Sequence, residues 1–240
     1  MQVFRFETIE STSTQAIQFL TDKVSTPFAI TAKQQSAGRG QQARIWESPV
    51  GNFYLSIACA VPRERIRFLP LMTACTLAKW LETKLRIRPE IKWPNDLLLK
   101  RKKFAGILCE ASWEQSRTHC NSVIGIGINI EKAPLLANSD YESECLRPWL
   151  IEDLSTEQLI DSFLEFWEKQ TYENTEDLIR EFERYHLPKG QIWRDRENPN
   201  ELFTNEGISP EGHLIVRNIS TGLSHELVSA QHSLILSSSP

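Results

Sequence analysis

Helical periodicity stops at Leu187-Pro188-Lys189-Gly190, and this change of character limits what the chain can fold into more than any other feature. Before it, apolar residues recur at three- and four-residue spacing in several stretches. After it, short alternating segments separated by Asn, Pro and Gly take over, a pattern of period two that belongs to strands. Strands are predicted near 190–194, 201–208, 213–218, 224–229 and 233–236, and this many short strands in about 50 residues predict a small β-barrel. The chain is expected to divide into a larger unit over 1–186 and a carboxy-terminal barrel over 187–240.

The larger unit mixes both periods. A strand is predicted over 3–6, followed by a helix whose start at 11–14 reads as a capping box from Thr12 to Gln15, with Ala16, Ile17, Leu20 and Val24 on one face. Residues 28–33 and 53–60 read as strands joined by a Gln-Ser-Ala-Gly-Arg-Gly loop. From Pro70 to Leu85 the apolar positions 71, 74, 75, 78, 81 and 85 predict a core helix, and 104–111 and 122–130 predict central strands. The stretch 131–150 has loop composition. Helices are predicted over 155–170, opening with a Ser155–Gln158 capping box, and over 175–186 with Leu178, Ile179, Phe182 and Tyr185 inward.

Charge and cysteine usage exclude several partners. The formal net charge is −4, whereas nucleic-acid surfaces show an excess of Lys and Arg, so DNA is not an expected partner. Five cysteines form no Cys-x-x-Cys pair, which predicts reduced thiols and neither a disulfide framework nor a direct metal motif. The first residues lack the apolar stretch of a signal peptide, and no run reaches a membrane span of about 18 residues. A cytoplasmic protein off the membrane is expected.

Four segments of the larger unit suit chemistry on anions and acyl groups. In Gln35-Ser36-Ala37-Gly38-Arg39-Gly40, two glycines allow close backbone approach beside a planar guanidinium, although the same pattern also makes a plain surface turn. Ser11-Thr12-Ser13 and Gln35 offer neutral donors and acceptors for an uncharged polar head, or simply a helix cap. Lys92-Trp93-Pro94-Asn95-Asp96 presents an amide and a carboxylate from a strand end, where Asp96 could orient a nucleophile or bind magnesium with Asn95 nearby. Lys103 enters the next strand, at the end of the basic run Lys100–Lys103 that also reads as a solvated face. Gly125-Ile126-Gly127-Ile128-Asn129 lacks the third glycine of a dinucleotide fingerprint and reads as a buried strand open to a ligand or to a neighbouring backbone.

Taken in order, these segments resemble the biotin protein ligases. The resemblance rests on Glu10-Ser11-Thr12, Gln35-x-Ala37-Gly38-Arg39-Gly40, Arg44-x-Trp46, Ser48-Pro49, Asn52-x-Tyr54-Leu55-Ser56, Lys92-Trp93-Pro94-Asn95-Asp96, Lys103-x-Ala105-Gly106-Ile107-Leu108 and Gly125-x-Gly127-Ile128-Asn129. It implies an α+β fold, a mixed-sheet catalytic domain flanked by helices with a small SH3-like barrel. It also implies activation of biotin by ATP and magnesium as biotinyl-5′-adenylate, then transfer to a lysine of the biotin carboxyl carrier protein of acetyl-CoA carboxylase.

By that resemblance Ser11, Thr12, Ser13, Gln35, Gly38, Arg39, Gly40, Gln41, Lys103 and Gly106 form the biotin site. Arg44, Trp46, Lys92, Asn95, Asp96 and Asn129 form the nucleotide site, with magnesium near Asn95 and Asp96. Lys103, Arg39 and Asp96 are the expected catalytic groups, with Arg39, Arg44 and Lys103 offsetting one developing charge. The chain departs from the family at Ser13, where asparagine is common, and at Gln41-Gln42-Ala43-Arg44, where Arg-Arg-Gly-Arg is usual. The amino-terminal DNA-binding domain of bifunctional members is not expected, and a homodimer stays open. Lipoate or octanoate transfer, and biotin binding without turnover, are the alternative activities.

Overall fold

The computed structural model describes residues 1–115, 118–134, 142–195, 198–228 and 234–236. The chain opens with β1 (Gln2–Ile9), helix α1 (Thr12–Thr21) and β2 (Phe28–Gln35). β1 and β2 pair in parallel, so α1 is a crossover lying on one face of the sheet. β3 (Phe53–Pro62) pairs antiparallel with β2, and helix α2 (Leu69–Leu85) leads to the short β4 (Glu90–Lys92) and β5 (Asp96–Leu99). β6 (Lys102–Gln115) and β7 (His119–Ile128) then fill the middle, giving the order β1-β2-β3-β7-β6-β5-β4.

Alternation along the strands sends apolar residues to both faces. Ala58 and Val123 pack with Ala16 of α1 in a small cluster, while Ile57, Ile107, Ile124 and Ile126 face the main core with α2. All six apolar positions that predicted α2 are buried. Helix α3 (Thr156–Lys169) closes this face, with Phe163 edge-on to Trp80 at 5.4 Å, and its Ser155–Gln158 capping box is formed. Helix α4 (Thr175–Tyr185) buries Leu178, Phe182 and Tyr185, as its spacing predicts.

The carboxy-terminal strands are β8 (Ile192–Asp195), β9 (Leu202–Ile208), β10 (Leu214–Asn218), β11 (Ser224–Leu227) and β12 (Leu234–Leu236). They make one antiparallel sheet in the order β11-β10-β9-β8-β12. Trp193 and Leu214 of this sheet belong to the same apolar core as α2, and Trp93 Nε1 donates to the Gly212 carbonyl at 2.9 Å.

Three local expectations change. The cap of α1 is Ser11, whose Oγ accepts from Thr14 N at 3.4 Å, because Thr12 turns its hydroxyl toward Gln35. Ile17 is 39% exposed, and Phe19 packs in its place on the Phe4–Phe28 side. The turn at 93–95 is the connection of a β4–β5 hairpin, whose strands are too short to show a period. Residues 135–141 of the expected loop, the strand ends at 229 and 233, and the final Ser-Ser-Ser-Pro lie outside the described residues.

The five cysteines are free thiols, and burial pushes Cys59 up to about 11 and Cys109 to about 12, so both stay protonated at neutral pH. No helix among the described residues is long and apolar enough to cross a membrane.

His186, after α4, is buried and its Nε2 has no hydrogen-bond partner. Burial first, and Lys189 second, push its pKa from 6.5 down to about 3. The unfolded chain therefore binds one more proton than the folded chain between these values. Stability from this group is complete above pH 6.5 and is lost as pH falls toward 3, by about 1.4 kcal/mol per pH unit. A melting point that drops between pH 7 and pH 5 is expected, with a shallower drop in His186→Phe. Parallel drops in both chains would exclude this cause.

Candidate functional site

The floor of the site comes from strand register. Asp96, Gly106, Gly127 and Tyr54 stand in one row across β5, β6, β7 and β3. Leu108, Gly125 and Ser56 form the next row, two residues along, and Glu110, Val123 and Ala58 the one after it. Each step of two residues is about 6.6 Å. All three rows face the side on which α1 lies, and glycines at 106, 125 and 127 leave a trough there. A Cβ on Gly125 would stand 2.6 Å from Ser13 Oγ, and one on Gly127 would stand 2.6 Å from Trp46 Nε1.

A neutral polar cluster sits over the second row. Gln35 Oε1 accepts from Thr12 N at 2.8 Å and from Thr12 Oγ1 at 3.1 Å, while Gln35 Nε2 donates to Ser48 Oγ at 2.8 Å. Ser56 Oγ donates to Thr12 Oγ1 at 2.8 Å and lies 3.0 Å from Ser13 Oγ. All these side chains are buried. Such a connected network holds hydroxyls and an amide in fixed directions without net charge.

A charged cluster sits over the first row. Lys103 Nζ is 2.6 Å from Asp96 Oδ1, with the two side chains 23% and 15% exposed, and lies 5.4 Å from the Trp46 ring centre. The Trp46 indole covers Gly106 and Gly127, and its Nε1 is buried without a partner. Asn95 donates its amide to the Ile107 carbonyl, which fixes the hairpin end beside Asp96. Asn129 is 2% exposed and donates to the Glu144 carbonyl at 3.2 Å, while its Oδ1 has no partner. A buried acceptor left so is a place for an incoming donor or a hydrated cation.

The loop from 36 to 48 roofs the trough. Gly38 is enclosed, since a Cβ there would meet the Trp46 carbonyl oxygen at 2.3 Å and Ser48 Oγ at 2.5 Å, whereas at Gly40 the closest atom is 3.3 Å away. The loop tip is a 3-10 turn over Gln41–Ala43 in which Gln42 and Ala43 are left-handed, with φ of 54° and 57°. Ala43 takes this conformation where glycine is usual in the resembling family.

The expected site residues do not all converge. Thr12, Ser13, Gln35, Gly38 and Gly106 meet around the trough with Trp46, Lys103, Asn95 and Asp96, while the Ser11 side chain caps α1. Of the three cations expected at one developing charge, Lys103 stands at the first row. Arg39 reaches instead to Glu110 on the third row, with Nη2 to Oε1 at 2.6 Å, and Arg44 donates to Gln42 Oε1 at 2.8 Å on the exposed tip. Lys92 points its ammonium at the Trp193 ring, 5.7 Å from its centre. Ser48, Ser56 and Glu110 belong to the site although sequence reading did not single them out. Ser48 and Ser56 lie in segments that carried the resemblance, and Glu110 follows Ile107-Leu108 by two residues. No group of three or more potential metal ligands exists among the described residues.

Comparison with known proteins agrees with this fold. The model of the biotin/lipoate A/B protein ligase family matches residues 5–129. The bifunctional ligase/repressor BirA of Bacillus subtilis is 33% identical over 131 residues, covering 53% of this chain and 40% of that protein. The biotin--[acetyl-CoA-carboxylase] ligase of Paracoccus denitrificans is 34% identical over 129 residues, covering 52% and 53%. The match thus spans about half or less of these relatives. A structure of the Aquifex aeolicus biotin protein ligase, in complex with biotin and ATP, covers 98% of this chain and 99% of that one with a TM-score of 0.73 at 22% identity, which establishes the common fold. With just over half of its length matched by the family model, and that half holding every row of the trough, this chain belongs to the biotin/lipoate A/B protein ligase family.

Proposed function

We propose that this chain activates biotin with ATP as biotinyl-5′-adenylate and transfers it to one lysine of the biotin carboxyl carrier protein of acetyl-CoA carboxylase. The observation that carries this reading is the polarity of the trough, with a buried neutral cluster at Thr12, Gln35 and Ser56 and a lysine–aspartate pair one row away. A ureido head fits the first, and a carboxylate fits the second. The name of the Paracoccus denitrificans relative supports the same substrate. We take 1–186 as the catalytic unit and 187–240 as the barrel, in a cytoplasmic enzyme.

In the first half-reaction biotin's carboxylate oxygen attacks the α-phosphorus of ATP and pyrophosphate leaves. Lys103 lies where the two anions must approach, and its ammonium offsets their repulsion. Trp46 offers a flat apolar surface to the adenine. Asp96 with the side-chain oxygens of Asn95 and Asn129 would hold magnesium arriving with the nucleotide, and the ion would supply charge neutralisation. In the second half-reaction the carrier lysine attacks the acyl carbon and AMP leaves. Asp96 is the carboxylate placed to orient the amine and receive its proton, because binding of the first anion draws Lys103 away from it.

Asp96→Asn is expected to slow transfer to the carrier about 100-fold or more with smaller effect on biotin binding. Single-turnover transfer from preformed adenylate measures it, and an unchanged rate would remove Asp96 from this role.

A further inference from the structure

We propose that Glu110 is a positioning residue of the biotin site, which holds Arg39 and through it the Gly38-Arg39-Gly40 roof; the proposal rests on the biotin-ligase reading above. Glu110 stands on the trough face of β6, four residues and about 13 Å from Gly106. The trough is thus bracketed by two ion pairs, Lys103–Asp96 at the carboxylate end and Arg39–Glu110 beyond the neutral cluster.

Three backbone hydrogen bonds join residues of the loop to one another. Gly40 N donates to the Arg44 carbonyl at 2.8 Å, Arg44 N to the Gln41 carbonyl at 3.1 Å, and Trp46 N to the Gly38 carbonyl at 2.9 Å. The Arg39–Glu110 bond at 2.6 Å joins residues 71 apart and ties the loop to β6 of the sheet. Glu110 Oε2 is buried and without a hydrogen-bond partner, while Oε1 takes the guanidinium at the wetter edge of the trough.

In the free chain the pair is 41% and 28% exposed, and ion pairs so wetted contribute little to stability. A ligand filling the trough excludes that water, and the same pair then acts at lower dielectric and holds the roof down. Its effect therefore falls on ligand binding and not on folding. Arg39 acts in the same way, as an anchor at the head end, and Lys103 alone meets the carboxylate.

The test uses the full chain with biotin, MgATP and a carrier domain. Glu110→Gln is expected to raise KM for biotin about fivefold or more while KM for MgATP and the ligand-free melting point stay unchanged. Arg39→Gln is expected to do the same, and the double variant is expected to be no worse than either single one. Additive effects of the two substitutions, an unchanged KM for biotin, or equal rises in both KM values with a lower melting point would each overturn the proposal. Calorimetry of the wild type separates the two levels. If the wild type does not bind biotin, the function reading fails; if it binds and Glu110→Gln binds equally, the positioning role fails.

Discussion

A Lys103→Ala chain is expected to form biotinyl-5′-adenylate at least about 100-fold more slowly than the wild type, the usual size of losing one preorganised group that stabilises developing charge. Two effects add in this variant. The ammonium that offsets the meeting of carboxylate and phosphate is gone. In addition Asp96, now without its partner at 2.6 Å and only 15% exposed, becomes a half-enclosed negative charge facing two anions. Lys103→Ala combined with Asp96→Asn separates them, and partial recovery of adenylate formation in the double variant is expected. Pyrophosphate release at a near-normal rate in Lys103→Ala would contradict the assignment of this lysine. Lys103→Arg is expected to recover only part, because a forked guanidinium cannot replace a compact ammonium beside the Trp46 ring.

Replacing Gln41 by arginine is expected to slow escape of the adenylate about 10- to 100-fold, since a charge-assisted hydrogen bond to the phosphate is worth about 1.5–3 kcal/mol. Gln41 opens the 3-10 turn at the loop tip, and its carbonyl accepts from Arg44 N. The loop is held to the sheet at Arg39 and at Trp46, while the tip between them carries two left-handed non-glycine residues. With Gln41 offering no cation at this tip, the intermediate is expected to leave the wild type measurably before a carrier arrives. Rapid gel filtration of labelled adenylate complexes compares the two chains. Equal release rates would show that position 41 does not touch the intermediate.

Periodicity in the sequence carried most of the fold. The spacing of Leu71, Ala74, Cys75, Ala78, Leu81 and Leu85 predicted a buried helix face, and each is buried. The five carboxy-terminal strands were legible because turn residues separate them. β4 and β5 were not, since 90–92 is shorter than two strand periods and 96–99 spans only two, with Leu97, Leu98 and Leu99 all buried and so showing no alternation. The cap of α1 was read one residue late because Ser11, Thr12 and Ser13 are all good caps, and only the position of Gln35 decides which hydroxyl turns inward.

The site was legible where a segment carries its own chemistry, as at Lys103 and Asp96, and illegible where meaning comes from register. Ser56 matters because β3 pairs it with Gly125 under Ser13, and Glu110 matters because β6 brings it beneath Arg39. Neither fact is written near those residues. The convergence of Arg39, Arg44 and Lys103 on one charge was implied by the resemblance, whereas in the structure Arg39 pairs with Glu110 and Lys103 with Asp96.

The most direct measurement incubates the chain with labelled biotin, MgATP and a biotin carboxyl carrier domain. Label on one carrier lysine, dependent on ATP and accompanied by AMP and pyrophosphate, is the expected result. Label absent from the carrier while biotin stays bound to the chain, or lipoyl transfer in place of biotinyl transfer under the same conditions, would contradict it.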